Sequence, residues 1–192
     1  MIVDLTRDAR DHVEQAAALL HAAFLHRTED WQDLASALQE VHDSLTADRI
    51  SRVAVDDTGH VLGWIGAIPS YAGRVWEIHP LVVSPSHRRM GIGRALVDDI
   101  EQVVATRGGL TLWLGSDDEN RETTAAGIDL YADVAGAIQT LKTLRGEHPY
   151  EFYQRLGFQV MGFLPDANGR GKPDIFFAKR VGAWESRGRA PS

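Results

Sequence analysis

Apolar residues along the chain follow two rhythms, one of three and four residues and one of short continuous or alternating runs. Val13, Ala16, Ala17, Leu20 and Phe24 recur at helical spacing, which predicts a helix over 11–25. Leu34, Leu38, Val41 and Leu45 share one face of a second helix, which Asp30 is placed to cap. Ile92, Leu96, Ile100 and Val103 line a third, with Asp98, Glu101 and Gln102 turned away and Gly108-Gly109 as its stop. Pro149 and Gly157 bracket a short fourth helix. The stretch 129–144 is poorly periodic and reads as helical only in part. Strands are predicted over 2–5, 50–55, 61–68, 75–83, 110–114, 158–164 and 175–179. Asp57-Thr58-Gly59 turns the second into the third, and Pro69 ends the third. Mixed strands with helices at intervals place the chain in the α+β (mixed α/β) class around one central sheet. Strand, turn, helix and strand over 75–114 predict a parallel pair with a right-handed crossover.

The turn inside that unit carries the most specific chemistry. Arg88, Gly91 and Gly93 spell R-x-x-G-x-G between the strand and the helix. Glycine has no Cβ, so the backbone can approach a ligand closely or take positive φ. The first N–H groups of a helix have no partner within it, and its dipole makes that end positive. Such a turn suits a diphosphate. The commoner phosphate loops are absent: G-x-x-x-x-G-K-[ST] does not occur, nor does G-x-G-x-x-G after this strand.

Composition narrows the chemistry further. The 192 residues read as one domain over 1–181, with a small, charged and mobile tail over 182–192. No apolar run approaches the roughly 18 residues of a membrane span. Met1 to Arg10 is broken by Asp4, Arg7, Asp8 and Arg10, so no signal-peptide core is present and a cytoplasmic location is expected. There is no cysteine, which excludes disulfides and thiol nucleophiles. The histidines form no metal-binding spacing, no serine elbow is present, and no metal is expected. The formal net charge of −7 is concentrated in two acidic stretches, 29–57 and 98–133. Such a surface repels nucleic acid and attracts cations, or serves solubility.

Four stretches fall in an order that resembles the GNAT superfamily of N-acetyltransferases. They are Trp76 to Val83, the turn from Arg88 to Gly93, Gly115-Ser116-Asp117-Asp118, and Tyr150 to Phe158 with its tyrosine four residues before Gly157-Phe158. With Leu164 to Gly169 and Lys172 to Ile175 they look like the aminoglycoside 6′-N-acetyltransferases of that superfamily. The resemblance implies a mostly antiparallel twisted sheet whose parallel unit splays around acetyl-CoA, the co-substrate. It implies that the turn residues Arg88, Arg89, Met90, Gly91, Ile92, Gly93 and Arg94 hold the pyrophosphate. It implies that Leu81, Val82 and Val83 supply oxyanion donors, that Asn120 contacts coenzyme A, and that Tyr153 protonates the departing thiolate. It also implies a homodimer.

Acetyl transfer to an amine requires loss of a proton from nitrogen, donors for the oxyanion and a proton for the thiolate. Glu77, His79 and Leu81 alternate along their strand, so they are expected on one face. The resemblance points to this strand for the base, and both Glu77 and His79 are candidates. A polycationic aminoglycoside calls for carboxylates around a cleft. Asp117 is the first choice, with Asp118, Asp133 and Glu77 beside it. Trp31 and Tyr71 are placed either to stack on sugar rings or to pack. Two other functions remain open: a GNAT enzyme for another amine, such as a polyamine or a protein N-terminus, and a non-catalytic acyl-coenzyme A sensor.

Overall fold

The computed structural model describes residues 1–25, 30–146 and 148–182. The predicted tail lies outside the described residues except for Gly182. Seven strands form one sheet: β1 (Ile2–Asp4), β2 (Ile50–Val55), β3 (Val61–Ser70), β4 (Val75–Val83), β5 (Thr111–Asp117), β6 (Gln159–Leu164) and β7 (Asp174–Arg180). Their order is β1-β2-β3-β4-β5-β7-β6, antiparallel throughout except for the parallel β4–β5 pair. The helices are α1 (Arg10–Phe24), α2 (Leu34–Ser44), α3 (Ile92–Thr106), α4 (Val134–Gln139) and α5 (Tyr150–Arg155). Among the described residues, no helix is long and apolar enough to cross a membrane.

The sheet buries both faces. Val13, Ala16, Ala17 and Leu20 of α1 and Ala37 and Val41 of α2 pack on Val53, Val55, Trp64 and Val82. On the opposite face Leu96, Val97, Ile100 and Val104 of α3 pack on Ile65, Trp76, Ile78, Leu112 and Leu114, and α5 joins them through Tyr150 and Tyr153. Apolar area removed from water at ~25 cal/mol per Å² is the main favourable term in such a core. Arg52 ties β2 to Asp4 of β1 and Asp99 of α3, and Lys179 ties β7 to Glu101 of α3.

Three expectations are corrected and one is made definite. Asp33, not Asp30, caps α2, accepting a 2.7 Å hydrogen bond from the Ser36 N–H. β3 continues through Pro69 to Ser70, held by its pairing with β4 as far as Ser70↔Val75, while its pairing with β2 stops at Ala67. The proline, which lacks an N–H, therefore sits where β3 has no neighbour on that side. β5 extends three residues past Leu114 to Asp117, held by β7. Only Val134–Gln139 of the ambiguous stretch is helical.

Candidate active site

The site is made by the failure of one ladder. β4 and β5 pair only at Val75↔Thr111, Trp76↔Leu112 and Glu77↔Trp113. Beyond Glu77 the strands diverge and open a cleft of about 1120 Å³ between residues 78–83 and 114–117. That volume exceeds the ~300–1,000 Å³ of a usual small-ligand pocket. The backbone of a strand whose neighbour has gone has amide groups to offer a ligand.

A bulge in β4 sets the side chains around this opening. Leu81 pairs with Ile65 but Ile78 pairs with Ala67, so His79 and Pro80 together oppose Gly66. The extra residue reverses the alternation. Trp76 and Ile78 face the α3 core, and so, beyond the bulge, do Leu81 and Val83, whereas Val82 faces the α1–α2 core. Glu77 and His79 therefore share the α1–α2 face as expected, and Leu81 does not join them. Gly66 makes the bulge possible, since a Cβ there would collide with the His79 carbonyl.

Glu77 is half-buried, and burial raises its pKa while His79 and then Arg49 oppose the rise. The His79 ring lies 5.6 Å from that of Trp31 and its Nε2 is 3.9 Å from Glu40 Oε1. Trp31 is fixed in turn by an edge contact with Phe24 at 5.0 Å, and its carbonyl accepts from His21 Nδ1 at 2.9 Å. Trp31 and His79 line the cleft; Glu77 stands just behind His79 on the strand. Asp117 also lines it and accepts a 2.6 Å hydrogen bond from Asn168 Nδ2.

Tyr153 approaches from the other face of the sheet. It is buried in an aromatic cluster with Phe152, Phe158 and Phe177 at 5.1, 5.7 and 5.6 Å. Burial pushes its phenol above the ordinary value, so it is held protonated. Its helix α5 starts beside His148, whose Nδ1 accepts the Tyr150 N–H at 3.2 Å. His148 and Ser116 line the same side of the cleft, and neither stood out in the sequence.

At the end of β4 a 3₁₀ turn, Pro85–His87, leads to Arg89 at φ 62 and Gly91 at φ 86, both left-handed. Arg88, Arg89, Gly91, Gly93 and Arg94 line the cleft. Nothing lies within 4 Å of the position a Gly91 Cβ would take, so the start of α3 is open to a ligand. The bare, cationic turn fits the diphosphate of coenzyme A, and Asn120 and Phe152 line the path beyond it.

Two turn residues proposed for binding, Met90 and Ile92, turn their side chains away from the cleft: Met90 is 68% exposed and Ile92 packs against the α3 core, which leaves their backbone N–H groups to face an anion. Three other residues proposed for binding lie elsewhere. Tyr71 lies in the β3–β4 hairpin, at the end of the sheet opposite the opening. Asp133 caps α4, accepting from the Gly136 N–H at 2.8 Å. Asp118 is 1% exposed and braces its own loop, accepting from Glu122 N–H, from Thr123 N–H at 3.0 Å and from Thr123 Oγ1 at 2.7 Å. Asp118→Ala would leave these donors unpaired. It is expected to destabilise the protein by roughly 3 kcal/mol and lower its melting temperature by several degrees. An unchanged thermal melt would return Asp118 to the list of substrate ligands.

The profile of the acetyltransferase (GNAT) family matches residues 14–137. The chain belongs to the GNAT acetyltransferase family. An aminoglycoside 6′-N-acetyltransferase solved in complex with coenzyme A is 39% identical, with a TM-score of 0.89 and coverage of 97% of this chain and 99% of that one. The aminoglycoside 6′-N-acetyltransferase from Enterococcus faecium is also 39% identical, with a TM-score of 0.87 and the same coverage. An aminoglycoside 6′-acetyltransferase type Ii is 36% identical, with a TM-score of 0.75, over 96% of this chain and 99% of that one. No curated protein sequence matches the chain significantly. The residues around the opening between β4 and β5, with the cationic turn at its mouth, fit acetyl-CoA as the co-substrate. Among the described residues, no group of His, Asp and Glu is arranged to hold a metal ion.

Proposed function

We propose that this GNAT enzyme transfers the acetyl group of acetyl-CoA to the 6′-amine of aminoglycoside antibiotics, an activity that confers resistance. The observation that carries this reading is the two-sided cleft. The α5 side offers Tyr153 and leads to the cationic turn, while the α1–α2 side offers His79 and Asp117 beside Trp31, with Glu77 behind His79. An anionic co-substrate and a cationic acceptor thus enter from opposite sides and meet where β4 and β5 part. The 39% identity to aminoglycoside 6′-N-acetyltransferases over nearly the whole chain favours that acceptor over a polyamine or a peptide.

In this scheme Glu77 and His79 accept a proton from nitrogen, β4 amides in the 81–83 segment hold the oxyanion, and Tyr153 protonates sulfur. Asp117 and Trp31 orient the sugar. The resemblance supports a homodimer in the cytoplasm as the working form.

Thiol release from acetyl-CoA with kanamycin, compared with spermidine and a peptide, tests the substrate. Kanamycin is expected to be turned over fastest, and an aminoglycoside with a 6′-hydroxyl should bind without turnover. Raising the salt to about 0.5 M shortens the Debye length to roughly 4 Å. The kcat/KM for kanamycin should then fall while KM for acetyl-CoA changes less. Asp117→Asn keeps shape, removes one charge, and should raise the kanamycin KM and flatten its salt dependence. Rapid acetylation of the 6′-hydroxyl compound would overturn the 6′ assignment. No turnover of any aminoglycoside would leave an acetyltransferase for another amine.

A further inference from the structure

An acceptor amine is an ammonium ion at neutral pH. Its nitrogen arrives with three hydrogens and leaves, as an amide, with one. Two protons must therefore depart: one before the lone pair can attack, and one as the N–C bond forms. Glu77 and His79 account for one of them. A third carboxylate, Asp174, stands on the same face of the sheet; it lies within the Lys172 to Ile175 stretch but has been given no role so far.

Asp174 opens β7 and pairs with Asp117 of β5. Ile175 and Phe177 face the α3 core, so alternation puts Asp174 on the opposite face with Glu77, His79 and Asp117. Its carboxylate lies over Gly115, where any Cβ would collide with it, and Gly115 lines the cleft. The β4–β5 ladder ends at Glu77↔Trp113, so Gly115 is the next residue of β5 on that face, level with His79 across the opening. Oδ1 of Asp174 is buried and has no hydrogen-bond partner. Burial first, and then the charge of Asp117, push its pKa up to about 7, with a small further push from Glu77; the N–H groups of Ser116 and Ile175 oppose the rise. The titratable groups on its face are Asp117 from β5 and Glu77 and His79 from β4, with Arg49 acting on Glu77. β6, on its other side, carries no titratable residue.

We propose that Asp174 takes the first proton from the acceptor amine. The inference rests on the amine-acetylation reading above. One N–H bond breaks, its electron pair stays on nitrogen, and the proton goes to Asp174 and then to solvent. The lone pair forms the N–C bond with the acetyl carbonyl carbon, and the C–S bond breaks with its pair on sulfur. The second proton passes from nitrogen to Glu77 and His79 and replaces the one Tyr153 gives to sulfur. Each turnover yields one amide, one thiol and one released proton.

Two measurements test this. Carboxyl NMR of the protein labelled with ¹³C in aspartate, compared with Asp174→Asn, needs no substrate. One signal titrating near neutrality in the wild type should be missing from the variant, and a midpoint in the ordinary carboxylate range, below about 5, overturns the proposal. In kinetics with tobramycin, Asp174→Asn should lose about 10²-fold in kcat/KM near pH 7 with KM for acetyl-CoA unchanged. The loss should shrink to a few-fold near pH 9, where free amine is abundant and the first proton no longer needs an acceptor. A loss of equal size at every pH, or no loss, overturns the proposal. Asp174→Ser, smaller and also neutral, gives the same comparison if the asparagine variant folds poorly. A wild type inactive on every aminoglycoside would sink the substrate reading alone, and the same pH comparison with spermidine as the acceptor would then decide Asp174.

Discussion

Tyr153→Phe is expected to lower kcat for aminoglycoside acetylation by about 10²-fold or more, the usual worth of a general acid, while changing either KM only slightly. The reason lies in how the side chain is held. Its ring is one member of an aromatic cluster with Phe152, Phe158 and Phe177, all of which phenylalanine retains. Removing only the hydroxyl leaves the α5 packing, the Pro149 carbonyl bond from the residue 153 N–H and the wall of the cleft in place. Burial raises the phenol pKa, so the group enters each turnover protonated at any pH where the enzyme works. A leaving thiolate in the same buried cleft is itself made more basic by desolvation, which favours the transfer. Steady-state kinetics beside a thermal melt separate the possibilities. A folded variant with wild-type kcat would leave Tyr153 as a packing residue only, and a variant with unchanged kcat but much weaker acetyl-CoA binding would make the hydroxyl a ligand of the co-substrate.

How far such a site can be read from sequence depends on which residues carry local signals. Gly91 was legible because a left-handed residue at a helix start leaves its mark as glycine, and φ there is 86. Tyr153 was legible because its distance to Gly157-Phe158 is fixed within one short helix and its exit. The apolar rhythm placed α1 and α3, and the Pro149 and Gly157 bracket placed α5, within a residue or two of their observed bounds. Where local propensity competed with pairing, pairing won: Pro69 and Gly115-Ser116-Asp117 are poor strand formers, yet β4 and β7 hold them extended.

The arrangement across strands was not legible. The β4 bulge cannot be seen in Trp76 to Val83 alone, and without it Leu81 falls on the wrong face. Asp117 and Asp118 are adjacent and chemically alike, but Asp117 ends β5 on the cleft face while Asp118 turns into the following loop and is buried by the Glu122 and Thr123 donors it accepts from, which explains why only one lines the cleft. Asp174 is 57 positions from Asp117, with which it pairs in register, so only the completed sheet brings the two carboxylates together. Glu40 likewise reaches His79 only because α2 packs across β3. A signal for Asp174 did exist in Gly115, a glycine inside a strand, which commonly marks a close approach of another group.

Gly91→Val is expected to weaken acetyl-CoA binding at least tenfold, about 1.4 kcal/mol, in a protein that still folds. Gly91 sits at φ 86 and ψ −4 immediately before α3. A β-branched residue is strained in that conformation, so the turn will relax away from the geometry that points the first N–H groups of the helix at an anion. Its side chain would also project into the open space where the diphosphate belongs, since nothing in the protein lies within 4 Å of that Cβ. Strain and obstruction can be separated with a second glycine. Gly108, just past the other end of α3, has φ 77 and equally open surroundings. Gly108→Val imposes similar strain at the negative end of the helix dipole, where no anion binds. Calorimetry should show wild-type acetyl-CoA affinity for Gly108→Val and the loss for Gly91→Val alone. Equal affinities in the two folded variants would mean that the diphosphate lies away from this turn, and the orientation of the co-substrate along the β4–β5 opening would have to be reversed.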